Sequence, residues 1–280
     1  MKKILVILIS IITFQSTYAD EGMWLLNMLF KLNIEAKGSK LSPEQIYSIN
    51  ESSVKDAIIG LGEEDMPFNF FCTAEMVSDQ GLVFTNYHCA FEMIQELSSL
   101  DRNLIDNGFW AMNKSEELHT EGITATIVKQ LVDVSDQILP LYNLDSLSWA
   151  QIQDTIAKVS QEIVKTVKDT SHFFAEITPI FEKNQYIMYV YEKYEDVRLV
   201  GTPPRTIGKF GGDTDNWMWP RHTGDFAVLR IYSGDDNKPA PHSEQNKALT
   251  PKHHLPVSLK GYEQGDYSFV MGFPGSTDRY

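Results

Sequence analysis

Two apolar runs, FFCTAEMV at residues 70–77 and GLVFTNYH at residues 81–88, flank the polar cluster Ser78-Asp79-Gln80-Gly81. Aromatic and β-branched runs joined by a turn-forming cluster that ends in glycine predict a β-hairpin. This hairpin constrains the chain more than any other stretch. Its outgoing strand carries Cys72, and its return strand delivers His88 to a strand end directly before Cys89, roughly across from Cys72. These are the only two cysteines in the sequence. An even count in an oxidising compartment favours one disulfide, which would hold neighbouring strands in position beside His88. A nucleophilic Cys89 next to His88 is the sharper alternative, and the disulfide is preferred because a partner cysteine is at hand.

The N-terminus supplies the compartment. Lys2 and Lys3 precede an apolar run of 11 residues, Ile4 to Phe14, followed by Thr17-Tyr18-Ala19. The pattern is that of an export signal over residues 1–19, cleaved after the small residue Ala19, since 11 residues are too few to span a bilayer. No later stretch reaches the ~20 apolar residues of a transmembrane helix. The mature chain is therefore expected to be soluble, with no membrane span after cleavage. Removing two lysines from 24 basic residues leaves 22 against 38 acidic ones, a net of −16. That balance argues against a nucleic-acid partner and identifies no substrate.

Short helices are expected near residues 23–32, from Pro43 behind the Ser42/Gln45 capping box, and over 54–60, ended by Gly60 and Gly62. Strand-like runs follow at 122–131, 187–194, 197–201, 226–233 and 267–273. Between them Ile152, Ile156, Val159, Ile163 and Val167 recur at spacings of three and four, an amphipathic helix. Many β-runs, one helical block and no βαβ alternation predict a mostly β, antiparallel fold, a barrel rather than a sandwich. The ending DYSFVMGFPGSTDRY reads as a strand, a Pro-Gly turn and a restarting segment. The chain is accordingly expected to be the N-terminal part of something longer.

The stretch GGDTDNWMWPRHTGDFAVLRIYS, residues 211–233, is the most unusual. Asp225 stands where loop gives way to strand, and a carboxylate so placed can orient a histidine and stabilise its imidazolium form. Composition and spacing leave open whether Asp225 pairs with His88 or is a turn residue. His222 and the His253-His254 pair are rival bases, whereas His119, His172 and His242 carry no further signal. Asp213 and Asp215 lack the glycine and distal glutamate of a calcium loop, so no metal site is expected.

DEGMWL, CTAEMVSDQGLVFTNYHC, DNGFWA, GGDTDNWMWPRHTGDF and YSFVMGFPGSTDRY together resemble the bacterial exported serine dipeptidyl peptidases of the dipeptidyl-peptidase 7 and 11 type. The resemblance runs from Asp20 to Tyr280. It implies a chymotrypsin-like double β-barrel with a helical insertion, of which residues 20–280 would be the N-terminal barrel portion. It also implies release of dipeptides from free N-termini, with no cofactor. Residue by residue, the family's catalytic histidine falls on His88 and its catalytic aspartate on Asp225. Its Asn-Trp pair, which helps hold the substrate's α-amino group, falls on Asn216 and Trp217.

There are departures. Tyr87 stands where the family usually has a second histidine, and MPFNFFC replaces a glycine-rich stretch. The serine nucleophile and the oxyanion hole would lie beyond Tyr280. Ser276 lacks the second glycine of a nucleophile elbow and is set aside. The expected partners are peptides with a free N-terminus and, in the full-length protein, a second copy in a homodimer. The expected location is the periplasm or cell surface of a Gram-negative bacterium. A non-catalytic exported peptide-binding domain is the alternative, and it has no need of both His88 and Asp225.

Overall fold

A computed structural model describes residues 23–143, 147–211 and 222–274. The strands are β1 (Ile58–Glu63), β2 (Met66–Met76), β3 (Leu82–Thr85), β4 (Phe109–Trp110), β5 (Leu118–His119), β6 (Ile123–Asp133), β7 (Phe174–Ile180), β8 (Gln185–Tyr194), β9 (Asp196–Thr202), β10 (Ala227–Ser233) and β11 (Lys247–Ala248). Among the described residues two helices exceed two turns, α1 (Tyr87–Leu97) and α2 (Trp149–Thr170).

All pairings are antiparallel, in the order β4-β9-β10-β3-β2-β1-β6-β8-β7, with β5 against β9 and β11 against β10. Glu195 alone separates β8, which pairs with β6, from β9, which pairs with β10. The two ends of the path β10-β3-β2-β1-β6 are thereby joined through one continuous stretch of chain, and the sheet curls back on itself. Thr120 reinforces the join, its N–H and its hydroxyl both donating to the Val197 carbonyl (3.0 and 2.9 Å). Inside the curl, Leu61, Ala74, Val83, Ile127, Leu199 and Leu229 share one core with Tyr87 and Ile94 of α1. A second core lies under α2, where Ile152 and Ile156 meet Met188 and Val190 of β8.

Much of the expected pattern is present. The hairpin joins β2 to β3 in the register Glu75↔Phe84 and Met76↔Val83. Gly81 turns it with φ 68°, a conformation that favours glycine, and a methyl there would meet the Ile231 carbonyl oxygen at 2.7 Å. Ser42 and Gln45 form their capping box, although that helix is only Pro43–Ile46. Helix α2 starts on a second box, Ser148 with Gln151, and keeps its apolar stripe.

Four expectations differ. Residues 54–60 are not a helix: a 3-10 turn, Val54–Ala57, leads into β1. Gly60 is there because the Phe70 ring lies where its Cβ would be, 2.6 Å away, so the glycine admits a neighbour and does not end a helix. Residues 23–32 hold only a 3-10 turn, Leu26–Lys31. Residues 267–273 form no strand; Gly272 packs on Thr73, and the Phe273 N–H donates to Thr73 Oγ1 (2.8 Å). Finally, His88 does not end a strand. β3 stops at Thr85, and after Asn86 the chain turns into α1, whose Tyr87, Ala90 and Ile94 follow helical spacing into the core. Among the described residues no helix is long and apolar enough to cross a membrane.

Candidate active site

Ala227 of β10 pairs with Thr85 of β3, which sets the start of one strand beside the end of the other. Asp225 therefore stands against the first turn of α1, although 137 residues separate it from His88. One carboxylate oxygen, Oδ1, accepts the backbone N–H of His88 (3.1 Å). Such a first-turn N–H has no partner within its helix, so Asp225 satisfies it from outside. The other oxygen, Oδ2, lies 2.8 Å from His88 Nδ1. Asn86 closes the arrangement, its Nδ2 donating to the main-chain carbonyl of Asp225 (3.2 Å).

A carboxylate accepts and does not donate, so Nδ1 carries the proton and Nε2 of the neutral ring keeps its lone pair. The imidazole is 65% exposed and the carboxylate 17% exposed. The acid is thus held in the protein while the ring's free edge stays reachable. Among the described residues no hydrogen bond engages Nε2. The pair can accept a proton at Nε2 and stabilise the resulting imidazolium through Oδ2.

Cys72 of β2 and Cys89 of α1 form a disulfide, with Cα atoms 6.0 Å apart and a sequence separation of 17. It joins a strand to a helix, because Cys89 lies in α1, and it fastens the residue after His88. Cys89 therefore has no thiolate to attack with, which closes the thiol-nucleophile alternative. Replacing both cysteines with serine is expected to cost about 3 kcal/mol for a loop of this size, measurable by urea unfolding of the oxidised parent and the variant.

The model for "Peptidase S46" matches residues 19–280. The chain belongs to the peptidase S46 family. It is 41% identical to dipeptidyl-peptidase 7 of Capnocytophaga gingivalis, over 94% of this chain and 36% of that protein. It is 43% identical to the Asp/Glu-specific dipeptidyl-peptidase of Flavobacterium psychrophilum, over 95% of this chain and 37% of the relative. The crystal structure of Porphyromonas endodontalis DPP11 in complex with the dipeptide Arg-Glu superposes with a TM-score of 0.76 at 35% identity, covering 88% of this chain and 36% of that one. This S46 chain thus spans a little more than a third of the length of these relatives.

Asn216 and Trp217 lie outside the described residues, as does Ser276. The rival histidines have other company in the S46 chain. The His222 ring meets Phe210 edge-on at 6.2 Å, and His253 Nδ1 lies 3.0 Å from Ser52 Oγ. Neither has a carboxylate partner among the described residues. His172 Nε2 contacts Glu192 (2.8 Å).

His119 and His242 stack at 3.7 Å beside the fully buried Asp196, a cluster that no local sequence pattern announces. Its donors suit a metal poorly. Asp196 already accepts from Arg198 Nε and Nη2, His242 Nδ1 and Asn246 Nδ2, all within 2.9 Å. The two rings are nearly parallel, at 14°, so their in-plane lone pairs do not converge on one point. The three cysteine and histidine side chains at the disulfide offer no thiolate either.

The cluster is an ion-pair hub that ties β9 to the loop before β11. Burial alone would raise the Asp196 carboxyl, but the hydrogen bonds from Arg198, His242 and Asn246 outweigh it and hold the group at about 2. An acid with a depressed folded-state pKa stabilises the fold above its unfolded value near 3.8 and loses that contribution as pH falls through about 2. The shift corresponds to about 2 kcal/mol. Asp196→Asn is therefore expected to lower Tm at neutral pH, with the gap to the parent narrowing between about pH 4 and pH 2.

Proposed function

We propose that this chain supplies the general base and the orienting acid of a serine dipeptidyl peptidase. The supporting observation is the two-pronged grip of Asp225 on the His88 ring and on the His88 backbone N–H. In this reading His88 Nε2 takes the proton of an attacking serine hydroxyl as the carbonyl carbon is attacked. The same proton is then given to the leaving amine as the peptide bond breaks. Water repeats the cycle on the acyl-enzyme, and Asp225 remains ionised throughout. The serine and the oxyanion donors come from residues of the complete protein outside these 280. The curled sheet is then the N-terminal barrel of a chymotrypsin-like pair.

Asn216 and Trp217 serve the substrate's α-amino group, an amide oxygen accepting from the ammonium and an indole face forming a cation-binding wall. A fixed distance from that anchor to the nucleophile is what limits the product to two residues. Export to the periplasm or cell surface and homodimer formation complete the proposal.

The test uses the complete secreted protein that carries this sequence. It is expected to release dipeptides from peptides with free N-termini, to leave Nα-acetylated peptides intact, and to be labelled on one serine by a fluorophosphonate. Turnover by residues 20–280 alone, or dipeptide release that continues after full fluorophosphonate labelling, would defeat the proposal.

A further inference from the structure

The residues immediately before the two members of the pair, Tyr87 and Gly224, meet the same short turn. Arg205–Gly208 is a single helical turn. Its closing bonds run from Ile207 N and Gly208 N to the Pro204 carbonyl (2.8 and 3.0 Å) and from Lys209 N to the Arg205 carbonyl (2.9 Å). On one side Gly208 is buried against the Tyr87 ring; a methyl at its Cα would come within 2.4 Å of Tyr87 Cγ and Cδ2. On the other side the Ile207 carbonyl accepts the Gly224 N–H (3.0 Å), and a methyl on Gly224 would reach 2.8 Å from Ile207 Cγ2. Thr223 Oγ1 adds a bond to the Phe210 carbonyl (3.0 Å).

Neither glycine needs a left-handed backbone, since a positive φ belongs to other glycines. At Gly208 the buried Tyr87 ring occupies the space of a side chain, and at Gly224 the half-exposed Ile207 side chain lies nearest to that space. The Tyr87 ring cannot give way easily: it is fully buried within the main core, with the Phe91 ring 6.0 Å away between centroids.

We propose that the 205–208 turn is a spacer that sets the separation of His88 and Asp225, with Gly208 and Tyr87 as positioning residues. The proposal rests on the reading of His88 and Asp225 as the catalytic pair. β3 and β10 are held in register by their ladder, but α1 leaves β3 after a single residue, Asn86, so the ladder alone does not fix the first turn of the helix against a swing. The disulfide at Cys89 restrains that swing from the β2 side. The Tyr87–Gly208 contact restrains it from the β10 side, because the turn is itself bonded to Gly224. The imidazole–carboxylate contact then need not hold the helix in place.

The experiment compares Gly208→Ala and Gly224→Ala, which crowd the spacer from its two faces, with Gly234→Ala. Gly234 is in a remote turn where the nearest atom to an added methyl is 3.4 Å away. In the complete peptidase, with rates normalised to the folded fraction, the first two are expected to lower kcat by about 10- to 100-fold while KM stays within about threefold, since misplacement near 1 Å can cost this much. The low-field N–H proton resonance of the His88–Asp225 contact is expected to move in both, and Gly234→Ala is expected to leave rate and resonance unchanged.

A role in folding alone would lower the folded fraction and Tm but not kcat per folded molecule. Unchanged kcat and resonance in both crowded variants overturn the proposal. The resonance separates this failure from that of the underlying reading. A parent protein that releases no dipeptides refutes the catalytic assignment, while the resonance still reports whether the spacer sets the contact.

Discussion

Replacing His88 with alanine in the complete peptidase is expected to lower kcat/KM by about 10⁴-fold or more, almost entirely through kcat. The ring is the group placed to move a proton at Nε2, and a methyl cannot replace it. Binding should change little, because the proposed anchors of the substrate amine are elsewhere. The fold should also survive, because the bond from the backbone N–H of residue 88 to Asp225 Oδ1 does not involve the imidazole, and the lost side chain is largely exposed. The measurement is steady-state hydrolysis of a chromogenic dipeptidyl substrate, with thermal unfolding of parent and variant alongside. A fall smaller than about tenfold, with the variant folded, would remove His88 from the reaction.

The hairpin, helix α2 and the loop-to-strand position of Asp225 were legible because each has a local cause. Ser78-Asp79-Gln80-Gly81 is turn chemistry, and the stripe from Ile152 to Val167 is a helical period. Asp225 precedes the apolar stretch Phe226 to Leu229, where a strand pattern begins. The errors also have physical causes. In TNYHCAF the β-branched and aromatic residues continue the strand pattern of β3, and the helical spacing of Tyr87, Ala90 and Ile94 becomes clear only when the sequence is read forward from Asn86. In β1 a close approach by Phe70, which comes from the neighbouring strand, explains Gly60, which local rules read as a helix stop.

The contact between His88 and Asp225 belongs to a third kind. It depends on the register of β3 against β10, a pairing across more than a hundred residues that no local pattern encodes. Family resemblance named the two residues, and strand pairing brings them together. The Asp196 hub had no such help. Its partners Arg198, His242 and Asn246 are ordinary polar residues of a strand and a loop until β9 folds beside the segment that precedes β11.

Asp225→Asn is expected to lower kcat by about 10⁴-fold in the complete peptidase while leaving the site's geometry intact. Asparagine keeps one acceptor oxygen, which can still take the backbone N–H of residue 88, so the helix start remains satisfied. The amide nitrogen then faces Nδ1, and it is a donor. The ring must turn its lone pair toward that donor and carry its proton on Nε2, where it can no longer accept one from a serine. Loss of the negative charge also removes the stabilisation of the imidazolium. Steady-state kinetics on the single variants and on His88→Ala/Asp225→Asn decide the matter. Once His88 is absent, Asp225 has no ring to orient, so the double variant should be no slower than His88→Ala by more than a few-fold. Multiplicative losses would mean that Asp225 acts on the reaction by a route other than His88.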